Sequence, residues 1–143
     1  IIVRTNIFGW NVKPQRISFA EWILYSLQNS KKIKLFSDLY YSPIFTDKLG
    51  EILLQLLKLK FNGSINIGAL KQCSKYDFGI QFAREFNLNE TLISKDILSN
   101  HNFFAPRLND LTLDLEKIQY LKIKIPTYIE SIKEMYKLGK FLK

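Results

Sequence analysis

The sequence predicts an α/β protein built on a parallel sheet, and three stretches carry that expectation. The chain opens with Ile1-Ile2-Val3-Arg4-Thr5, rich in β-branched residues and apolar at three successive positions. An apolar run without alternation suits a strand covered on both faces, the habit of parallel strands. Ser64-Ile65-Asn66-Ile67-Gly68 reads as a second strand, again stopping at a glycine. Between them, Leu49, Ile52, Leu53, Leu56 and Leu57 recur at helical spacing, with Lys48, Glu51, Gln55 and Lys58 on the other face.

The remaining elements follow in order. The first strand is expected to end in Arg4-Thr5-Asn6, ahead of Phe8-Gly9, which places three hydrogen-bonding side chains beyond a carboxyl end. Ligands of open α/β sheets bind there. The plain alternative is a surface turn made by Asn and Gly. Residues 10–17 form a polar loop with Pro14. Ser18 and Glu21 form a capping box that opens a helix to about Asn29, striped by Ile23, Leu24 and Leu27. Lys32–Phe36 alternates as a half-exposed strand, and Tyr40–Phe45 is extended because Pro43 pushes its predecessor out of helix. Thr46 or Asp47 is expected to cap the central helix.

Ser74 with Asp77 opens a third helix with a stripe of Phe78, Phe82, Ala83 and Phe86. Asn89–Asn102 reads as short, broken structure, Ala105–Asp110 as a loop and Leu113–Tyr120 as a short helix. Thr127 and Glu130 then box the last helix, which carries Ile129, Ile132, Met135 and Tyr136. A buried strand at the first residue, with no Met before it, suggests the C-terminal part of a larger protein. On that reading Ile1–Val3 and Ile65–Ile67 lack sheet partners and helix cover, and the chain is marginally stable.

At 143 residues the chain has room for one core. No apolar run of about 18 residues exists, so no transmembrane helix is expected. The single Cys73 excludes an internal disulfide and fits a reducing, cytoplasmic setting. The net charge of +8 suits an anionic ligand. The basic residues are spread over helix faces, with one tight cluster at Lys31, Lys32 and Lys34, so nucleic acid is not the expected partner.

The order of the pieces resembles a known family. Arg4-Thr5-Asn6-Ile7-Phe8-Gly9, a helix, and then Tyr40-Tyr41-Ser42-Pro43-Ile44-Phe45-Thr46-Asp47-Lys48-Leu49 look like the C-terminal half of dTDP-4-dehydrorhamnose reductases, extended short-chain dehydrogenases acting on nucleotide sugars. Gly63–Gly68, Ser74-Lys75-Tyr76-Asp77-Phe78-Gly79 and Ala105-Pro106-Arg107 through Leu113-Asp114 are similar to that family's late strand, following helix and late Arg-Pro loop. The resemblance implies the C-terminal part of a Rossmann-type NAD(P)-binding fold. Residues 1–9 and 64–73 would belong to the sheet; 10–63 and 74–143 would form mostly a substrate-binding lobe and covering helices.

It also implies hydride transfer from NADPH or NADH to a keto group of a nucleotide-linked sugar. The Gly-rich dinucleotide loop is absent, and the catalytic Tyr-x-x-x-Lys of the family precedes the Arg-Thr strand, so no catalytic residue is expected in this chain. Tyr120 with Lys124 and Tyr136 with Lys140 have that spacing in the wrong place.

On the resemblance, Thr5 and Asn6 are the cofactor-contact candidates, and Arg4, Asn6, Phe8, Trp10, Tyr41 and Arg107 the substrate-contact candidates. Each has a plainer role: a salt bridge for Arg4, core packing for Trp10 and Tyr41, a solvated loop for Arg107. Arg107 offers the planar fork that suits a diphosphate. The expected partners are a nucleotide sugar and a dinucleotide-binding half, with a homodimer as a further option. Two other functions compete: a non-catalytic regulatory subunit of the same fold, and a basic nucleic-acid module.

Overall fold

The computed structural model describes residues 1–11 and 16–139. Pro14 of the predicted loop and Lys140 of the second Tyr–Lys pair lie outside the described residues. The chain begins with β1 (Ile2–Phe8), α1 (Phe19–Gln28), β2 (Ile33–Phe36), β3 (Tyr40–Tyr41), β4 (Pro43–Phe45) and α2 (Thr46–Lys58). It continues with β5 (Ser64–Ile67), β6 (Cys73–Ser74), α3 (Lys75–Glu85), β7 (Ile93–Asp96), β8 (Asp110–Leu111), α4 (Glu116–Tyr120) and α5 (Tyr128–Gly139).

The strands form three small sheets: parallel β4-β1-β5, parallel β2-β7, and β6-β3-β8, in which β3 runs antiparallel to β6 and parallel to β8. The parallel α/β class holds, with two corrections at β1. The strand does not end in Arg4-Thr5-Asn6, because its ladder to β4 continues through Asn6↔Pro43, Ile7↔Ile44 and Phe8↔Phe45. Nor is it covered on both faces, since Ile2 and Ile7 are 66% and 57% exposed.

All three predicted capping boxes form. Ser18 accepts from Glu21 N while Glu21 accepts from Ser18 N, and Ser74–Asp77 and Thr127–Glu130 do the same. Each satisfies helix-end donors that packing alone would strand. Glu21, buried, also accepts from Asn11 N at 3.0 Å, and Ser18 Oγ donates to Gly9 O at 2.8 Å, so α1 is tied to the end of β1.

The central helix departs from expectation at both edges. β4 runs into α2 without a loop, so the cap position falls on Phe45, which makes no side-chain cap bond, and Thr46 is already helical. Leu57 belongs to the predicted stripe but is exposed, while Ile52 and Leu56 are buried. The segment read as broken contains β7, a strand only because β2 pairs with it over Ile33↔Ile93 to Phe36↔Asp96.

Two cores result. The first is aromatic and joins α1, α3, α5 and β2 around Phe78, Phe82, Ile23, Ile132 and Met135. The second is aliphatic and joins β4, β5, α2 and α4 through Ile44, Ile52, Leu56, Ile65, Ile67 and Ile118. Ile65 and Ile67 are therefore covered and paired with β1, contrary to the expectation that they would lack both.

Candidate functional site

The site is set by a change of neighbours within one strand. β1 pairs with β5 from Ile2↔Ser64 to Thr5↔Ile67, and then with β4 from Asn6↔Pro43 onward. Where β5 leaves, Gly68-Ala69-Leu70 turns away: Ala69 N donates to Ser42 O at 3.2 Å and Leu70 N to Pro126 O at 3.0 Å. A point where strand neighbours diverge opens a crevice at the sheet's carboxyl side.

Ser42 is the pin of that crevice. Its N–H donates to Asn6 Oδ1 at 3.3 Å, and its buried hydroxyl accepts from Leu113 N at 3.3 Å. Gly68 packs so closely that a Cβ there would lie 2.8 Å from Ser42 O, which is why only glycine fits the turn out of β5. Against these segments lies a cavity of about 430 Å³, lined by Ser42, Leu70, Lys71, Gln72, Thr112 and Leu113 among others. The volume is that of a small ligand pocket, and the lining mixes apolar walls with a few convergent donors.

Two buried polar atoms beside the divergence, Thr5 Oγ1 and Asn66 Oδ1, have no hydrogen-bond partner among the described residues. Asn66 spends its amide N–H on Asp114 O at 2.9 Å and stands opposite Arg4 in the ladder. Buried oxygens without a donor are uncommon and invite one from a ligand. Arg4 is exposed, its side chain makes no hydrogen bond or ion pair among the described residues, and it shares a strand face with Asn6.

The fold separates the sequence-predicted residues into three groups. Arg4 and Asn6 share one face of β1 at the strand divergence, and Thr5 between them points to the other. Arg107 is exposed on the loop leading into β8, its guanidinium 4.3 Å over the Phe103 ring. Phe8, Trp10 and Tyr41 lie in or against the aromatic core. Phe8 meets Phe78 edge-on at 5.0 Å, and the Trp10 indole donates to Met135 O at 3.1 Å.

Tyr41 is 5% exposed and its hydroxyl has no partner; burial pushes its pKa well above the ordinary value. Lys75 Nζ stands 3.6 Å over the Tyr41 ring and 4.3 Å over that of Phe19. Burial pulls that ammonium down to about 8, against the opposing charge interaction with Cys73, and pushes the Cys73 thiol up to about 12. Cys73 is thus a packed thiol and not a nucleophile. Tyr120 of the Tyr–Lys spacing is 87% exposed at the end of α4.

Sequence reasoning missed Ser42, Lys71, Gln72 and Thr112. Lys71 and Gln72 follow a strand that stops at glycine, and the rule that sites lie beyond such ends would have found them. Ser42 and Thr112 are brought in by β3 pairing with β6 and β8, which no local pattern announces.

Comparison with known proteins places this geometry. The sequence profile of the RmlD substrate binding domain matches residues 1–140. No curated protein sequence matches the chain. Among solved structures, a dTDP-4-dehydrorhamnose reductase from Clostridium acetobutylicum ATCC 824 superposes with a TM-score of 0.84 at 20% identity, covering 97% of this chain and 48% of that one. The Bacillus anthracis str. Ames reductase in complex with NADP gives 0.83 at 15% identity, covering 94% of this chain and 47% of that one.

A UDP-N-acetylglucosamine 4-epimerase from Methanobrevibacter ruminantium M1, in complex with UDP-N-acetylmuramic acid, gives 0.70 at 12% identity, covering 99% of this chain and 46% of that one. At these identities the likeness concerns the fold. The chain spans about half the length of these structures. By the profile match over nearly its whole length, the chain belongs to the RmlD substrate-binding domain family.

Proposed function

We propose that this chain is the substrate-binding portion of an NAD(P)-dependent reductase of a nucleotide-activated keto-deoxy sugar. The observation that carries the reading is the strand divergence at Asn6 and Ser42, with a cavity of about 430 Å³ against it and Lys71, Gln72 and Thr112 on its walls. Family membership and the nucleotide-sugar enzymes among its structural neighbours support the same ligand class.

In this proposal Lys71, and Arg107 from the loop before β8, meet the diphosphate, while Asn6, Gln72 and Thr112 hydrogen-bond the sugar. Asn6 fits a nicotinamide cofactor at its edge, its amide nitrogen free of hydrogen bonds among the described residues, while Thr5 lies on the opposite face of β1 with its hydroxyl buried. When bound, NADP or NAD in its reduced form would supply the hydride. This chain has no glycine-rich loop to cradle the dinucleotide diphosphate, so most of that binding falls to residues outside it, as does proton transfer to the keto oxygen. The work of these residues is to hold the nucleotide and orient the sugar.

The test is calorimetric titration of dTDP-glucose into the chain and its Asn6→Ala and Lys71→Ala variants. Binding by the parent chain, weakened in both variants and with melting unchanged in Lys71→Ala, is the expected result. Equal heats in all three would overturn the assignment. The chain alone is expected to oxidise no NADPH in the presence of a 4-keto nucleotide sugar, and detectable turnover would contradict the placement of the catalytic groups outside it.

A further inference from the structure

We propose that His101 is a positioning residue for Arg107, acting through a column of stacked rings anchored at the end of β7. The inference rests on the reading of Arg107 as a contact to the nucleotide diphosphate.

The column begins at Asp96, the last residue of β7. Its carboxylate accepts from Ile97 N at 2.9 Å, Asn100 Nδ2 at 3.0 Å and His101 Nε2 at 2.8 Å. Its main-chain oxygen accepts from Ser37 N at 2.8 Å, which fastens β7 to the turn after β2. Asp38 of the same turn accepts from Leu98 N at 3.0 Å. The segment that carries His101 is therefore held by the turn after β2 as well as by the end of its own strand.

From that anchor the His101 ring meets Phe36 edge-on at 5.2 Å and stacks on Phe103 at 5.7 Å with 25° between planes. Phe103 also meets Phe36 edge-on at 6.3 Å. Arg107 completes the column, its guanidinium carbon 4.3 Å over the Phe103 ring. These are separations at which rings and cations attract.

Arg107 makes no hydrogen bond or ion pair among the described residues, and no carboxylate neutralises it. Its guanidinium carbon rests over Phe103 while its N–H donors have no protein partner among the described residues. A cation attracted to a ring face is held close to that ring, which confines where its fork can reach. The plane of Phe103 is set by His101 and Phe36, and that of His101 by Asp96. An arginine held in this way loses less side-chain freedom when it grips an anion, so the column raises affinity without touching the ligand.

The experiment is a double-mutant cycle read by the Kd for dTDP, with thermal midpoints recorded for every variant. Arg107→Ala is expected to weaken binding about tenfold or more, the loss of a charge-assisted contact. His101→Ala is expected to weaken it about three- to fivefold alone, and by less than about 1.5-fold when Arg107 is already alanine, because residues acting as a unit are not additive. Asp96→Asn keeps both rings, guards against a folding defect, and is expected to weaken binding about twofold only while Arg107 is present.

A His101→Ala loss that persists unchanged in the Arg107→Ala background is a structural effect and overturns the proposal. So does an unchanged Kd in His101→Ala while Arg107→Ala weakens binding. An unchanged Kd in Arg107→Ala itself defeats the reading of Arg107, and the positioning role with it.

Discussion

The two cores of this molecule are built differently. The aromatic core closes on itself: Phe78 touches the rings of Phe8, Phe19, Tyr41 and Phe82 within about 6 Å, and Phe82 stacks on Phe86 at 4.1 Å. The aliphatic core is one-sided. It buries Ile65 and Ile67 but leaves Ile2 and Ile7 of the neighbouring strand more than half exposed, along with Leu54 and Leu57 of α2. Stability therefore concentrates in the lobe of α1, α3 and α5. The polar side chains at Asn6 and Ser42 sit where the open sheet meets that closed lobe. A rigid lobe beside an open sheet is a sound arrangement for a site, because the closed part fixes geometry while the open part leaves room for ligand.

Substitutions in the two cores separate their contributions. Phe78→Ala removes the ring at the centre of the closed core and is expected to cost about 3–5 kcal/mol in urea denaturation. Ile2→Ala, on the open sheet, is expected to stay within about 0.5 kcal/mol, as exposed substitutions do. Comparable losses in the two variants would erase the distinction.

The next effect in size falls on binding. Arg107→Ala is expected to cost about 1.5–3 kcal/mol of nucleotide affinity, and Arg107→Lys to restore part of it, since an ammonium has no fork. Calorimetry checks both, with melting curves showing that neither core has changed. Ser74→Ala then removes the cap of α3, whose hydroxyl accepts from Asp77 N at 3.0 Å, and is expected to cost the closed lobe about 1 kcal/mol in the same denaturation assay.

The smallest effect is one of pH. The His101 ring, then the Asn100 amide, hold the Asp96 carboxyl at about 2, below its ordinary value. A carboxyl with a depressed folded pKa contributes stability that is present above the ordinary carboxylate range and is lost as pH falls toward about 2. The melting temperature of the parent chain should therefore fall more steeply between pH 4 and about 2 than that of Asp96→Asn. Parallel curves would show that this surface cluster adds nothing to the fold.

What the sequence makes legible here is what is local. Ser18–Glu21, Ser74–Asp77 and Thr127–Glu130 each place their own helix, because both partners of a capping box lie within four residues. The parallel character of β1 and β5 was legible for a similar reason, in β-branched runs stopped by glycine. The short strands were not: β6, β7 and β8 carry weak patterns and exist because a distant strand pairs with them. The site shares this division. Arg4, Thr5 and Asn6 could be singled out on β1, but Ser42, Lys71 and Thr112 join them through register and turn geometry. Phe8 and Tyr41 show the limit of residue type, since an aromatic beside a strand end can face the core as readily as a ligand.

An amide chemical-shift titration of the ¹⁵N-labelled chain with dTDP-glucose reads out directly where a nucleotide sugar binds. Binding at the strand divergence predicts shifts concentrated at Asn6, Ser42, Ala69–Gln72 and Thr112–Leu113. The groove along α3 lined by Tyr76, Gln81, Arg84, Thr91 and Tyr128 should stay silent. Shifts confined to that second groove, or none at saturating nucleotide, would contradict binding at the strand divergence.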